Sequence, residues 1–331
     1  MKPLELGRPT ETVAMLSDGV LNIRKARGCT SHDVVAKLRR LLGMAKVGHA
    51  GTLDPEATGV LPVLCGKATR VAEHLAQWDK EYHTVLRLGE STDTQDATGV
   101  VLATRPVGCV TEAMVRQVLS KFVGPLLQVP PMYSAVKVGG VPLYKTARAG
   151  RTVEREARAI TVHRIEMTAI EGRDVSLTID CSKGTYIRTL CAEIGEVMGF
   201  GGHIVFLERV RVGPLALDDA RTVDEIGVLA SQDRLSEVLL SMDEVLADLP
   251  SVAVPPAQAM KVLHGVPVPV STLVGMDASG IGGLPVGQVV KLKDMTGRLL
   301  GLGRTPPGVP VAQGRNQPES VMRVVKVFVE P

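Results

Sequence analysis

Carboxylate, imidazole and hydroxyl groups crowd into one short stretch, His49-Ala50-Gly51-Thr52-Leu53-Asp54-Pro55-Glu56-Ala57-Thr58-Gly59. Its flanking glycines and Asp-Pro step impose a tight, non-helical turn that can hold a carboxylate at a fixed angle to a pocket. The same residues also make an ordinary Asx-turn, and a lone His49 is more often a satisfied loop residue than a catalyst. A second stretch, Cys181-Ser182-Lys183-Gly184-Thr185-Tyr186-Ile187-Arg188-Thr189-Leu190, ends a strand, turns at Lys183-Gly184 and opens a helix. The free N–H groups of a helix start would face an anion there, with Tyr186 and Arg188 in the first turn. A plain capped helix with a surface arginine fits equally well. Walker, G-x-G-x-x-G, H-E-x-x-H, EF-hand and G-x-S-x-G motifs are lacking, so nucleotide hydrolysis, zinc proteolysis and serine hydrolysis lose their usual signatures.

The elements that must position these residues follow from periodicity. A strand is expected over Gly19 to Ile23, then a basic turn, Arg24-Lys25-Ala26-Arg27-Gly28, and a helix opened by the capping box Thr30-Ser31-His32-Asp33. Val34, Val35, Leu38, Leu41 and Leu42 recur on one face of that helix. After the loop Lys46 to Gly59 come an apolar strand from Val60 to Cys65, a helix from Ala68 to about Trp78, and a strand Tyr82 to Leu88 carrying Tyr82, Thr84, Leu86 and Leu88 on one side. A helix over Thr111 to Phe122 is closed by Gly124-Pro125. Residues 129–134 look irregular, and an Arg-rich excursion to Arg158 includes a short helix from Tyr144 to Ala149. Strands then alternate with a helix through Arg211, two capping boxes (Thr222/Glu225 and Ser241/Glu244) mark short acidic helices, and Val-rich segments beyond Pro250 have the rhythm of a small β-barrel.

The chain has 331 residues, 45% of them apolar and 22% charged, which excludes a disordered or collagen-like protein and allows two domains. With one Trp, four Tyr and four Phe, it cannot furnish rows of rings for stacking bases along a sheet. The net charge of +3 conceals asymmetry: residues 21–70 carry nine bases against three acids, residues 137–164 seven against two, and residues 216–248 nine acids against two bases. Two separated basic runs suit a polyanionic partner about as well as they suit solvated faces. Five cysteines without a C-x-x-C pair support neither a disulfide framework nor a zinc ribbon. The early residues Lys2, Pro3, Glu5, Arg8, Pro9 and Glu11 leave no apolar leader, and no span of membrane length occurs, so a soluble cytoplasmic protein is expected.

Taken together, these stretches resemble the TruB family of tRNA pseudouridine-55 synthases. Gly48 to Pro55 with Ala57-Thr58-Gly59-Val60-Leu61 looks like the family's catalytic motif. Further matches follow in the family's order: Lys80-Glu81-Tyr82, Thr92-Asp93-Thr94-Gln95-Asp96, Val129 to Lys137, Arg155-Glu156-Ala157-Arg158, Cys181 to Leu190, and His203, Leu207 and Arg209. The resemblance covers about residues 18–214. It implies that Asp54 is the catalytic aspartate, that Tyr82 stacks on the flipped base, that Arg188 pairs with the carboxylate, and that Tyr186 and Leu207 line the pocket. His49 would fill space near the extruded nucleotides.

The resemblance further implies an α/β (α+β) fold: a mixed, largely antiparallel sheet of the pseudouridine synthase type flanked by helices, with a small C-terminal PUA-like β-barrel. The expected division is an irregular extension over 1–17, a catalytic domain over 18–249 and a PUA-like RNA-binding domain over 250–331. A basic insertion at about 130–158 would close over the T stem-loop of tRNA, the expected partner. Lys25, Arg27, Lys137, Arg148, Arg151 and Lys183 are the expected contacts to the RNA backbone. No metal or cofactor, no membrane, no obligatory protein partner and a monomer are expected. Two departures stand out: the family's Asp-Lys-Pro-x-Gly is here Arg24-Lys25-Ala26-Arg27-Gly28, and Glu208 stands beside Arg209 where a second base is common. The competing readings are a guide-RNA-dependent relative, usually marked by long Lys-rich tails, and an RNA-folding chaperone that needs no chemistry.

Overall fold

The computed structural model describes residues 18–275, 284–306 and 320–329, so the expected extension over 1–17 lies outside the described residues. Ten strands form one sheet whose main path runs Leu239–Leu240, Gly19–Lys25, Thr58–Cys65, Gly202–Val212, Lys80–Leu88, Asp174–Cys181, Arg158–Glu171 and Gly124–Gln128. Every pairing in it is antiparallel except that of Gly202–Val212 with Thr58–Cys65. This is the mixed, largely antiparallel sheet that the resemblance implies. Alternate residues of Lys80–Leu88, Tyr82 to Leu88 among them, face the core as their two-residue period dictates.

The helices sit where apolar spacing places them. Ser31–Leu41 starts from a complete Thr30/Asp33 capping box and buries Val34, Val35 and Leu38. Ile187–Val197 buries Ile187, Leu190, Cys191 and Ile194 against the same core. Both acidic capping boxes are formed, at Thr222/Glu225 and Ser241/Glu244.

Two local expectations differ from the structure. The helix expected from Ala68 to Trp78 is a 3₁₀ turn over Gly66–Val71 followed by a single α-turn, Ala72–Leu75. Gly124-Pro125 does end the preceding helical segment, but it also begins the strand Gly124–Gln128. Proline is tolerated there because this strand forms an edge of the sheet, paired only with Arg158–Glu171.

The C-terminal segments make a separate six-stranded sheet that includes Ser251–Val254, Val289–Asp294, Leu299–Arg304 and Val321–Val327. It rests on the large sheet: Leu302 and Phe328 share an apolar cluster with Val20, Leu64, Val71 and Leu75. Ion pairs from Lys291 and Lys293 to Asp243 and from Lys326 to Glu73 cross the same boundary.

Candidate active site

Asp54 lies in the turn between the strands Val47–His49 and Thr58–Cys65, closed by Ala57 N–H donating to Asp54 O at 3.1 Å. Several groups clamp this turn through its backbone. Ser31 Oγ accepts from Leu53 N at 2.9 Å and donates to Leu53 O at 3.1 Å. Lys25 Nζ donates to Pro55 O at 3.1 Å, Ala57 O at 2.6 Å and Ala26 O at 3.0 Å. Arg209 Nη2 donates to Gly51 O at 2.9 Å and its Nε to Val60 O at 2.8 Å.

Both cations are only 1% exposed. An interior ammonium or guanidinium is tolerable only when its donors are satisfied, so each must keep its carbonyl partners and thereby fixes the loop. Gly59 completes the arrangement. Its φ is +101°, and a Cβ there would come within 2.2 Å of Arg209 O, so only glycine lets the two parallel strands meet.

The Asp54 side chain, 42% exposed, forms an ion pair with Arg188, Nε to Oδ2, at 2.9 Å. Arg188 itself is 4% exposed. Its Nη1 donates to Thr94 O at 2.8 Å and its Nη2 to Tyr133 O at 2.7 Å, with Asp96 Oδ2 3.7 Å from Nη1. The Thr94-Gln95-Asp96 loop is shaped for this contact. Gln95 adopts a positive φ of 63°, its side chain accepts from Thr189 Oγ1, and its carbonyl accepts from Ile204 N.

The pair stands beside a cavity of about 270 Å³ lined by Asp54, Tyr82, Ser134, Tyr186, Arg188 and Leu207, among others. Tyr82 and Arg209 are cross-strand partners. Burial pushes the Tyr82 phenol up, partly opposed by the adjacent Arg209 charge. Tyr186 precedes the helix Ile187–Val197 and is held by Gln128, which accepts from Tyr186 N at 2.8 Å and donates to Tyr186 O at 3.1 Å. Burial also raises the Tyr186 phenol. Asp54, Arg188 and Leu207 line a second cavity of about 120 Å³ as well, so the ion pair separates two concavities.

Asp54, Tyr82, Tyr186, Arg188 and Leu207 therefore meet, although they come from residues far apart in the chain. His49 is not part of the cavity lining. It is half-buried, its Nδ1 has no partner among the described residues, and burial followed by the Arg209 charge lowers its pKa, which favours neutral imidazole.

Among the expected RNA contacts, Lys25 is a correction: it is buried and its donors are taken by carbonyls, so it braces the loop and cannot reach a phosphate. Arg27 is exposed and paired with Glu56 at 2.7 Å. Lys137 and Arg151 are exposed, and Lys183, also exposed, donates to Gln77. Arg148 falls in the helix Leu143–Arg148, and its side chain lies outside the described residues. The altered turn Arg24 to Gly28 contacts the loop, with Gly28 N donating to Pro55 O at 2.9 Å.

Residue-by-residue reasoning missed Lys80, Asp96, Ser134 and Arg209 as functional groups, although each falls inside a matched motif. Lys80 lines the cavity and donates to Ala76 O at 3.0 Å and to Trp78 O. Burial, reinforced by the Arg209 charge, brings its pKa down to about 8. Cys65, Cys181 and Cys191 are buried thiols pushed up to about 12, mainly by desolvation. Among the described residues, no group of three or more His, Cys, Asp or Glu could hold a metal ion, and no helix is long and apolar enough to cross a membrane.

Comparison with known proteins gives a consistent result. Residues 39–187 match the TruB family pseudouridylate synthase N-terminal domain, and residues 188–247 match the tRNA pseudouridylate synthase B C-terminal domain. The tRNA pseudouridine synthase B of Burkholderia pseudomallei (strain 668) is 44% identical over 292 residues, 88% of this chain and 94% of its own length. That of Aromatoleum aromaticum is 46% identical over 248 residues, 75% of this chain and 80% of its own. Among solved structures, a Cbf5-Nop10-Gar1 complex contains a chain 31% identical with a TM-score of 0.73, covering 94% of this chain and 85% of that one. An H/ACA RNP bound to a substrate RNA containing 2'-deoxyuridine gives 28% identity and a TM-score of 0.72 at the same coverage.

Proposed function

Because this chain belongs to the TruB family of pseudouridylate synthases, we propose that it converts uridine 55 in the T loop of tRNA to pseudouridine, acting alone on the RNA. It is a pseudouridine synthase that isomerises uridine in tRNA, as its relatives' names state. Position 55 and the residue roles below are our reading.

A base stacked in a folded loop cannot be isomerised, so it must be flipped out, and an aromatic ring offsets part of the lost stacking. Tyr82 on the cavity wall suits that task, with Leu207 as its apolar neighbour. Asp54 acts on the sugar or the base, by attack at C1′ or C6 or by taking a sugar proton. The C1′–N1 bond breaks, the uracil turns, a C1′–C5 bond forms, the hydrogen at C5 leaves as a proton, and the freed N1 takes up a proton, so that the product is an isomer of the substrate. One C–N bond is exchanged for one C–C bond, with no net redox change or hydrolysis, so the chemistry calls for no metal or cofactor. Arg188 orients Asp54 and compensates its charge, while Lys25 and Arg209 hold the loop beneath it.

Arg27, Lys137, Arg148, Arg151 and Lys183 are assigned to the RNA backbone, and the insertion at 130–158 to closure over the T stem-loop. The proposal also includes a catalytic domain over 18–249, a PUA-like RNA-binding domain over 250–331, a monomeric state, no obligatory protein partner and a cytoplasmic location. The observation that carries the reading is the 2.9 Å Asp54–Arg188 pair beside a cavity walled by Tyr82.

The test is pseudouridine mapping on a bare, unmodified tRNA transcript. The natural protein should convert the T-loop uridine, and Asp54→Asn should convert none while binding within about tenfold, or 1.4 kcal/mol. Turnover by the variant would defeat the role of Asp54. A requirement for an added guide RNA would defeat stand-alone action, and conversion elsewhere would defeat position 55.

A further inference from the structure

Ser134 stands out in the main cavity. It is 5% exposed and lines the cavity, yet its Oγ has no hydrogen-bond partner among the described residues. A buried hydroxyl left unpaired is costly and uncommon, and where one is retained at a cavity wall its partner is expected from a ligand. The Tyr186 hydroxyl lies near enough for Ser134 to oppose the burial-driven rise of the phenol, but no hydrogen bond of acceptable geometry joins them.

The placement of this serine is not slack. Tyr133 O accepts from Arg188 Nη2 at 2.7 Å, and Ser134 O accepts from Tyr144 N at 3.0 Å, so the backbone is pinned on both sides of the side chain. Ser134 therefore comes from the inserted segment, while Asp54, Tyr82 and Leu207 come from the sheet and its loops, and one of its anchors is the arginine that holds the catalytic carboxylate. The cavity's cations are already tied to protein oxygens: Arg188 to Asp54, Thr94 and Tyr133, Arg209 to Gly51 and Val60, and Lys80 to Ala76 and Trp78. Among the fully buried side-chain polar atoms of the cavity lining, that leaves the neutral Ser134 hydroxyl without a partner, which suits a neutral base edge better than a phosphate. Uracil offers an N3–H donor between two carbonyl acceptors, and a serine hydroxyl can serve either kind.

We propose that Ser134 is a specificity-determining residue, whose hydroxyl hydrogen-bonds the edge of the flipped uracil. The inference rests on the pseudouridine-synthase reading. A base-edge contact supplied by the insertion favours the correct base, since the hydroxyl gains its partner only when uracil is in place.

The test uses Ser134→Ala with two T stem-loop RNAs, one carrying uridine labelled with tritium at C5 and one abasic at the target position. In the free protein the variant should melt at the same temperature or slightly higher, because it deletes an unpartnered buried hydroxyl. On uridine RNA, kcat/KM from tritium release should fall about three- to tenfold, and affinity for the abasic RNA should be unchanged. A lowered Tm would show that the hydroxyl has a partner in the free protein and would overturn the proposal. So would unchanged kinetics on uridine RNA, or an equal loss of affinity for both RNAs. If the natural protein releases no tritium at all, the pseudouridine-synthase reading fails; if it does and Ser134→Ala matches it, only this inference fails.

Discussion

Arg188→Lys separates the charge of the arginine from its shape. The guanidinium sends three nitrogens in fixed directions, Nε to Asp54 Oδ2 at 2.9 Å, Nη1 to Thr94 O at 2.8 Å and Nη2 to Tyr133 O at 2.7 Å. Lysine keeps the positive charge but places all its donors on one nitrogen, which cannot occupy three separated sites. Asp54 is 42% exposed, so water can take over much of the hydrogen bonding to its carboxylate. The two carbonyls belong to half-buried residues, and at least one loses its partner. Leaving such an acceptor bare costs up to about 1–3 kcal/mol, so the midpoint of urea unfolding should fall by a corresponding amount. Catalysis should suffer more, because the carboxylate loses a directed bond and the Tyr133 anchor of the insertion together. If both are removed, each a charge-assisted bond worth about 1.5–3 kcal/mol, kcat/KM drops by roughly two to four orders of magnitude. Single-turnover tritium release from C5-labelled tRNA measures the chemical step, and filter binding measures affinity, which should change less than about tenfold. If Arg188→Lys retained a rate within threefold of the natural protein, the argument that orientation matters more than charge would fail.

Two further outcomes follow from the cavity floor and the strand junction. Lys80 has a folded-state pKa of about 8, below its ordinary value of 10.5, so between those limits the unfolded chain binds more protons and the group's contribution to stability rises with pH. Lys80→Met should remove that rise: the difference in unfolding free energy between variant and natural protein, followed by urea titration, should favour the variant most below about pH 8 and shrink by about 3 kcal/mol toward pH 10.5. A pH-independent difference would contradict the burial of a charged amine there. Gly59→Ala places a Cβ 2.2 Å from Arg209 O at a φ of +101°, so the parallel strands must part. A loss of about 3–5 kcal/mol in urea unfolding is expected, and a loss below 1 kcal/mol would show that the junction yields easily.

Local sequence was a good guide where the determinant was itself local. The Thr30/Asp33 capping box, the alternation of Tyr82 to Leu88 and the stripe on Ile187–Val197 each need only a few residues to be recognised. Edge strands fared worse. Gly124–Gln128 carries the Gly-Pro signature of a helix stop, and only its pairing with Arg158–Glu171 makes it a strand. The same limit applied to charge. Lys25 sits in a run of bases that reads as a surface, and its burial depends on Pro55 and Ala57, whose carbonyls approach only once the loop has folded. Ser134 was invisible for a related reason: a hydroxyl without a partner is a property of the three-dimensional surroundings, and composition carries no trace of it.

Net charge shows what folding adds to such arithmetic. By composition, the nine acids of residues 216–248 offset the basic runs as if all were spread over one surface. In the structure, Asp243 of that segment instead binds Lys291 at 3.0 Å and Lys293 at 2.7 Å across the boundary with the C-terminal sheet. Burial works to raise the Asp243 carboxyl, but its bonds to Lys293 and Lys291 outweigh this and hold it below the usual range. Those two lysines are consequently spent on the protein and cannot serve RNA, whereas Lys137 and Arg151 remain exposed. With two lysines against one acid, the seam carries part of the total of +3 in an internal contact, and attraction of a polyanion falls to unpaired bases acting over a Debye length of about 8 Å.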